Sequence, residues 1–325
     1  MGAADRTIAV IVVNYETAEL AIKAVESVLA RCHGGRRCKV HLVDNASPGG
    51  DAVRLAQVHS ERGWGDLVTL WPETENHGFG RGNNVVLDFF AASDDPPDYV
   101  FLLNPDASLE NEALSILSEA LDADYQVGAV GAAMLGRESQ PIAAAFRFPT
   151  GLREVLRVLN LTLLYNLIPN SRIALPPDQP EGRVDWVTGA AVMFRFTALQ
   201  ETGFFDPGFF LYYEEVELMR RMVGAGWAVM YIPAALVVHE EGAATQVTGV
   251  SRYRPSYVYE SFHKYHLTTA GYRGALLVAL FLVPAALLNI LHRRLRGKAP
   301  TIPKGFLSDH WRLVLRPLLK MSNLP

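Results

Sequence analysis

Cysteine is scarce in this chain: Cys32 and Cys38 are the only two among 325 residues. Two thiols cannot staple a small secreted scaffold. With His33 and His41 nearby they make a loose likeness of a metal site, but no second ligand pair follows, so reduced structural thiols in a cytosolic protein are expected. The first strand is not followed by a dinucleotide-binding glycine fingerprint. Asn14-Tyr15-Glu16-Thr17 stands there instead, which sets aside a nicotinamide-dependent oxidoreductase. Gly-Lys-Ser/Thr is missing, so there is no P-loop, and His239-Glu240-Glu241 has no His at position 243, so there is no zinc-protease helix. No helix-turn-helix, zinc module or single-strand platform is visible, and no nucleic-acid partner is expected. Internal repeats and low-complexity segments are absent. Asp5 and Arg6 lead directly into a strand pattern, so no signal peptide is expected.

Acidic residues are scarce at the C-terminal end. Residues 270–325 contain nine Lys or Arg against one acid, Asp309, a net of +8, so the rest carries −12 of the chain's −4 total. A basic tail on an acidic body suits an anionic partner. Within it, Gly274–Leu291 has no charge and is followed by His292-Arg293-Arg294-Leu295-Arg296. The run is barely long enough to span a bilayer, Pro284 and Asn289 interrupt it, and spanning would leave the basic tail outside. An in-plane helix with its cations on anionic headgroups is expected, packing on the globular body being the alternative.

What is present is a globular composition, half hydrophobic and one fifth charged, with alternating strand and helix patterns. Apolar runs at Ile8–Val13, Val40–Val43, Leu67–Leu70, Tyr99–Leu103 and Val127–Met134 read as strands. Thr17–Ala30, Asp51–Arg62, Asn83–Ala92 and Asn111–Leu121 read as helices between them. Further on come a helix over Leu152–Leu167, strands at Val184–Val187, Val192–Phe196 and Val229–Ile232, and a helix over Glu214–Ala225. This alternation predicts an α/β fold, a mostly parallel central sheet flanked by helices.

Ligands of such sheets gather at the carboxyl ends of the strands. Four strand ends converge there in principle: Val13-Asn14-Tyr15, Val43-Asp44-Asn45-Ala46-Ser47, the loop Asn76-His77-Gly78-Phe79-Gly80-Arg81-Gly82-Asn83-Asn84, and Asn104-Pro105-Asp106. Asp44 suits a base or ribose and Tyr15 could cover the base. Arg81 and the loop's backbone amides suit a pyrophosphate, although a tight turn opening a helix explains the glycines equally. Asp106 is either a carboxylate for a hard divalent cation or an ordinary turn residue capping the next helix. Downstream, aromatics at Phe209–Tyr213 precede Glu214, Glu215 and Glu217. Shielding by aromatics would raise a carboxylate pKa for general-base work, while a helix start rich in Glu with a surface Glu217–Arg221 pair is the plainer reading. His239 ends the apolar run Leu236–Val238 and is either a metal ligand or a structural histidine.

In order, V-V-N-Y, V-D-N-A-S, N-H-G-F-G-R-G-N-N, L-L-N-P-D, W-V-T-G-A-A-V-M-F-R, G-F-F-D-P-G-F-F, Y-Y-E-E-V-E-L-x-x-R and V-V-H resemble the family 2 inverting glycosyltransferases of the GT-A fold, within them the bacterial rhamnosyltransferase-like branch. The resemblance covers roughly residues 7–245. It implies a GT-A domain over 1–265, with a nucleotide-sugar half (1–110) and an acceptor half (111–265); the apolar and basic run beyond it predicts a membrane-associating helical extension over 266–325. The resemblance implies that Asp106 holds Mg²⁺ or Mn²⁺ on the donor diphosphate, with His239 as second ligand. Asn14, Tyr15, Asp44, Asn76, Arg81 and Asn104 would face the nucleotide-sugar; Trp186, Gly189 and Ala190 would line the sugar and acceptor pocket. Glu215 takes the place of the base, with Glu in place of the family's Asp, so Glu214 and Glu217 stay open. The Q-x-x-R-W motif of processive members is absent, which implies single-sugar addition. The implied reaction moves one sugar, rhamnose from dTDP-rhamnose, to a glycan or polyprenyl-linked acceptor of the cell envelope, at the cytoplasmic face of the membrane as a peripheral or monotopic protein. A UDP-hexose or UDP-N-acetylhexosamine donor, and a degenerate, non-catalytic sugar-nucleotide binder, are the alternatives.

Overall fold

The computed structural model describes residues 6–240 and 253–321. They fall into two compact units, each discontinuous in sequence. The larger gathers Met1–Phe146, Ala174–Pro207 and Glu214–Gln246, and the smaller Arg147–Ile173, Gly208–Tyr213 and Val247–Pro325.

The larger unit opens with β1 (Thr7–Asn14), α1 (Ala18–Leu29), β2 (Arg37–Asp44), α2 (Asp51–Glu61), β3 (Val68–Pro72), α3 (Gly78–Ala91), β4 (Tyr99–Leu103), a short β5 (Ala107–Leu109), α4 (Ala113–Ala123) and β6 (Val127–Leu135). Then follow β7 (Pro141–Ile142) and β8 (Ala145–Phe146). Past α5 (Gly151–Leu159) and α6 (Thr162–Leu167) of the smaller unit come β9 (Gly182–Val184), β10 (Trp186–Val187), β11 (Ala191–Arg195), α7 (Phe196–Thr202), α8 (Glu214–Gly224) and β12 (Ala228–His239). The main sheet runs β3-β2-β1-β4-β11-β6-β12-β5, with β7 on β6 and β9 on β12.

Strands β1 to β4 are mutually parallel, β11 runs against both β4 and β6, and β12 is parallel to β6. The mostly parallel sheet expected from the alternation is therefore present, with one reversed strand at its centre. β-Branched runs explain its inner strands: Ile8, Val10, Ile11, Val12 and Val13 are buried on both faces, as a helix-covered strand requires. Register is set by that burial. Asn14 pairs directly with Asp44, which places two polar residues side by side where the apolar runs stop.

Several expected elements differ. The helix expected at Asn83 begins at Gly78, so the glycine-rich segment is its first turn and not a loop. Gly78 turns the chain with φ 73°, while a β-carbon at Gly80 would lie 2.9 Å from Phe205 and one at Gly82 2.9 Å from Val13. The later two glycines let the helix start pack close. The single helix over Leu152–Leu167 is two, because Asn160 takes a left-handed conformation (φ 50°) that ends α5. Val184–Val187 is split between β9 and β10. Val229–Ile232 and Leu236–Val238 join in one strand, with a register shift between Ile232 and Leu236 beside Pro233.

In the smaller unit, Gly274–Leu291 lies inside α9 (Ser256–Leu295), a 40-residue helix interrupted at Gly271 (φ 66°). After it come α10 (Phe306–His310), a π-helical turn and α11 (Arg316–Met321). Ala275, Val278, Ala279, Leu282, Ala285 and Ala286 are buried in a core shared with Val158, Val314, Leu315 and Leu318. Asn289 is no interruption: it is buried, donates to the Leu159 carbonyl (3.2 Å) and Thr301 Oγ1 (2.8 Å), and accepts from Thr301 N (3.2 Å). By length and composition α9 is the one helix among the described residues able to cross a membrane, with mean hydropathy 2.4 in its most apolar window.

Candidate functional site

Strand direction decides which residues can meet. β1, β2, β4 and β12 present their carboxyl ends, and the reversed β11 its amino end, at one edge of the sheet. Asn14, Asp44, Asn104, Asp106, Ala190 and His239 all stand there.

At the first corner Asn14 is fully buried. Its amide donates to Asp44 Oδ1 (2.8 Å) and Asp51 Oδ2 (3.0 Å), and its oxygen accepts from Thr17 Oγ1 (2.9 Å). Ser47 donates to Asp44 Oδ1 (2.7 Å) and accepts from the Glu16 amide. Glu16 and Ala46 both adopt positive φ, 55° and 60°, on the two loops that frame this corner. Strained non-glycine backbone of this kind persists where the surroundings over-determine it. Tyr15 is exposed beside it. Asn14 is thus an organiser of the corner, with both ends of its amide engaged.

The next corner is built by Asn45, which the sequence reading passed over. Its amide donates to Asn76 Oδ1 (3.1 Å) and the Gly78 carbonyl (3.0 Å), and its oxygen accepts from His77 N (3.1 Å). Asn76 in turn accepts from Gly78 N (2.9 Å). Arg81 projects from the first turn of α3 and is exposed, with no hydrogen bond among the described residues. Asp51 was likewise missed; its place as first residue of α2, after Pro48-Gly49-Gly50, was the available signal.

Asp106 and His239 are brought together by backbone pairing. β5 runs antiparallel to the end of β12, Ala107 opposite His239, and Glu240 N donates to the Asp106 carbonyl (2.9 Å). The imidazole Nε2 then lies 3.0 Å from Asp106 Oδ1, with the Asn104 amide 3.5 Å away. No cluster of three or more His, Cys, Asp or Glu forms among the described residues, so no closed protein cage for a metal exists there. One carboxylate oxygen and one imidazole nitrogen at an open edge fit a divalent ion that takes its remaining ligands from phosphate and water. The Cys32 and Cys38 pair does not fit one. Both are free, and burial pushes the Cys38 thiol up to about 12.

The two halves of the edge meet at Ala190, whose carbonyl accepts from Asn104 N (2.9 Å). A β-carbon at the adjacent Gly189 would lie 3.3 Å from the Phe79 ring and 3.5 Å from the β-carbon of Glu215. Phe79, Gly189 and Glu215 are therefore neighbours. Trp186 stands on the separate β8–β10 ribbon, stacked on Phe146 at 4.2 Å.

The three candidate bases differ in burial and in engagement. Glu217 is not in a surface pair. It is buried, accepts from Arg221 Nε with both oxygens (2.7 and 3.0 Å), and Arg221 also donates to the Thr202, Gly203 and Phe204 carbonyls. Glu214 is 2% exposed. Glu215 keeps partial access to solvent, yet its Oε2 is buried with no hydrogen-bond partner. Desolvation raises its pKa from 4.5 to about 7, against backbone N–H groups of residues 215 and 216 that favour the ionised form. The aromatic run before it is engaged in the smaller unit, where Tyr212 stacks on Tyr257 and Tyr213 packs on Tyr265.

This architecture is that of the GT-A glycosyltransferases. The structure superposes on GalNAc-T7 in complex with UDP, GalNAc and Mn²⁺ at a TM-score of 0.57 and 14% identity, covering 98% of this chain and 58% of that one. It superposes on the mannosyltransferase PcManGT of Pyrobaculum calidifontis, in complex with GDP-Man and Mn²⁺, at a TM-score of 0.50 and 18% identity, covering 97% and 82%. The family described as glycosyltransferase-like family 2 matches residues 5–257, and the chain belongs to it. Among curated relatives, an N-acetylglucosaminyl-diphospho-decaprenol L-rhamnosyltransferase of Mycobacterium tuberculosis is 26% identical over 220 residues, 65% of this chain and 69% of the relative. Rhamnosyltransferase WbbL of Escherichia coli is 26% identical over 168 residues, 50% of this chain and 61% of the relative.

Proposed function

We propose that this protein transfers a single sugar, rhamnose from dTDP-rhamnose, to a hydroxyl of a polyprenyl-diphosphate-linked glycan acceptor with inversion at the anomeric carbon. The observation that carries the reading is a shared edge. The Asp106–His239 pair and the Asn14–Asp44 corner stand at strand ends of one sheet, and Glu215, at the start of α8 with its Oε2 unpartnered, neighbours Gly189 just before β11.

Asp44, held by Asn14 and Ser47, takes the nucleoside, and the exposed Tyr15 ring covers its base. Arg81 lies free to meet the diphosphate. Asp106 and His239 would hold Mg²⁺ or Mn²⁺, which stabilises the departing diphosphate when bound. Glu215 accepts the proton of the acceptor hydroxyl as that oxygen attacks the anomeric carbon and the sugar–phosphate bond breaks. A carboxylate raised to about 7 is ionised often enough near neutrality and basic enough to take that proton. Gly189 keeps the space beside it open for the sugar.

The acceptor reading rests on the M. tuberculosis relative and on α9. Opposite its packed side, α9 exposes Leu277, Leu280, Phe281, Leu288, Leu291 and Leu295, positions that fall along one stripe at helical spacing. Arg273 precedes the stripe and Arg293, Arg294 and Arg296 surround its end. Because the other side is packed, the helix lies in the plane of an anionic membrane surface, which makes the protein monotopic.

A screen of dTDP-, UDP- and GDP-sugars with Mn²⁺ tests the donor. dTDP-rhamnose should raise the melting temperature most and be the donor consumed with a polyprenyl-linked acceptor. Preferential stabilisation and turnover with a UDP-hexose would replace the rhamnose assignment, and turnover of none would remove the transferase reading.

A further inference from the structure

The smaller unit contains a cavity of about 170 Å³ that holds none of the groups assigned above to the donor, the metal or the base. Val158, Val258, Phe262, Leu282, Ile302 and Phe306 make it apolar on most sides, while Arg157, Arg254, Tyr213 and Tyr259 bring polar groups to it. Two observations separate it from a packing gap. Tyr259 is 5% exposed, and its hydroxyl is buried with no hydrogen-bond partner. A buried donor left unmatched is costly, and one lining a cavity is matched when the cavity fills.

Arg157 supplies the second. Its Nε and Nη2 are spent on Glu154 Oε2 (2.8 and 2.7 Å), which leaves Nη1 for a further acceptor, and its side chain is 55% exposed. Glu154 itself is fully engaged, since Tyr213 donates to Oε1 (2.9 Å). The cavity therefore joins hydrocarbon walls to guanidinium and phenol donors. An uncharged lipid leaves Arg157 Nη1 and the Tyr259 hydroxyl unmet, and a free sugar leaves the walls wet.

We propose that this cavity binds the diphosphate end of an isoprenoid lipid, the prenyl diphosphate that carries the acceptor sugar. The inference rests on the lipid-linked acceptor read above. The diphosphate oxygens accept from Arg157 Nη1, Arg254 and Tyr259, and the first isoprenyl carbons lie against Phe262, Leu282 and Phe306. Leu282 stands on α9 directly after the outward-facing Phe281, so the tail leaves the cavity along the stripe assigned to the membrane.

The test titrates the full chain with farnesyl diphosphate, inorganic pyrophosphate and farnesol by calorimetry. Farnesyl diphosphate should bind at least about tenfold tighter than either fragment, because only it meets both linings. Tyr259→Phe and Arg254→Gln should each weaken it about tenfold, the loss of one hydrogen bond to a charged group. Far-ultraviolet dichroism and melting without ligand verify that these variants fold, and Val258→Trp, which fills the cavity from its apolar side, should abolish binding independently. Equal binding of pyrophosphate and farnesyl diphosphate, or undiminished binding in all three variants, would overturn the proposal. Phosphatidylglycerol vesicles separate the sources: if the variants lose vesicle binding in step with farnesyl diphosphate, the cavity reads a phospholipid headgroup and the proposal falls. A wild-type protein that binds farnesyl diphosphate but turns over no nucleotide-sugar would sink the transferase reading and leave this site standing.

Discussion

Replacing Glu215 by Gln tests the base through two readouts that a structural role would not move together. Gln keeps the shape and an oxygen for the backbone N–H groups of residues 215 and 216, but carries no charge into the desolvated position of Oε2. In the wild type the folded-state pKa, about 7, stands above the ordinary 4.5. Between those values the folded chain holds a proton that the unfolded chain has lost, so stability is full below pH 4.5, falls as pH rises and is flat above about 7. The span corresponds to about 3 kcal/mol, an upper figure because the residue keeps partial access to solvent. Urea titrations should therefore find Glu215→Gln equal to wild type near pH 4 and up to about 3 kcal/mol more stable at pH 8. Transfer should move the other way. Loss of a general base lowers kcat by about 10²–10⁴-fold. Wild-type kcat/KM should climb with pH to a plateau above about 7, and the variant's residual rate should lack that limb. A variant that keeps more than about a tenth of wild-type turnover, or a stability difference that ignores pH, would refute the assignment.

Asp106→Ala should abolish transfer and remove Mn²⁺-dependent donor binding in a calorimetric titration, while losing the His239 contact costs about 1–3 kcal/mol of stability. Phe281→Glu with Leu288→Glu places two charges on the exposed stripe of α9 and should cost about 2 kcal/mol or more in co-sedimentation with anionic vesicles, a roughly 30-fold loss, with melting unchanged. Gly131→Ala puts a β-carbon 2.5 Å from that of Val187 and should destabilise the larger unit by about 1–3 kcal/mol in denaturant titration.

Local composition was enough to read the inner strands. The run Ile8–Val13 is β-branched and buried on both faces, and Tyr99–Leu103 stops at Pro105 as a chain without a donor must. Where neighbours far along the chain decide, the residues alone misled or left alternatives open. Gly78 to Gly82 suited a phosphate loop and a tight turn opening a helix equally, because nothing local says that Phe205 will press against Gly80 and Val13 against Gly82 in the first turn of α3. Glu217 read as a surface partner of Arg221, because its burial depends on the carbonyls of Thr202 to Phe204, which Arg221 also binds. Asn289 looked like a flaw in an apolar run until Thr301 and the Leu159 carbonyl came to meet it. Family resemblance named Asp106 and His239 together; the residues alone could not, since 133 positions separate them and the pairing of β5 with β12 is what closes the gap.

That closure depends on the reversed strand. Were the sheet wholly parallel, the segment Gly189-Ala190 that leads into β11 would enter at the far edge, away from Asn104. Running antiparallel between β4 and β6, β11 brings its amino end to the carboxyl ends of its neighbours, and the Asn104–Ala190 hydrogen bond records the meeting. β12, parallel to β6 on the other side, then returns His239 to the same edge. In the proposed reaction, groups for the nucleotide would come from β1, β2 and β4, and those for the sugar and the proton from the segment around β11 and the start of α8. One inverted strand therefore brings the segment before β11 to the same edge of a single sheet as the carboxyl ends of β1, β2, β4 and β12.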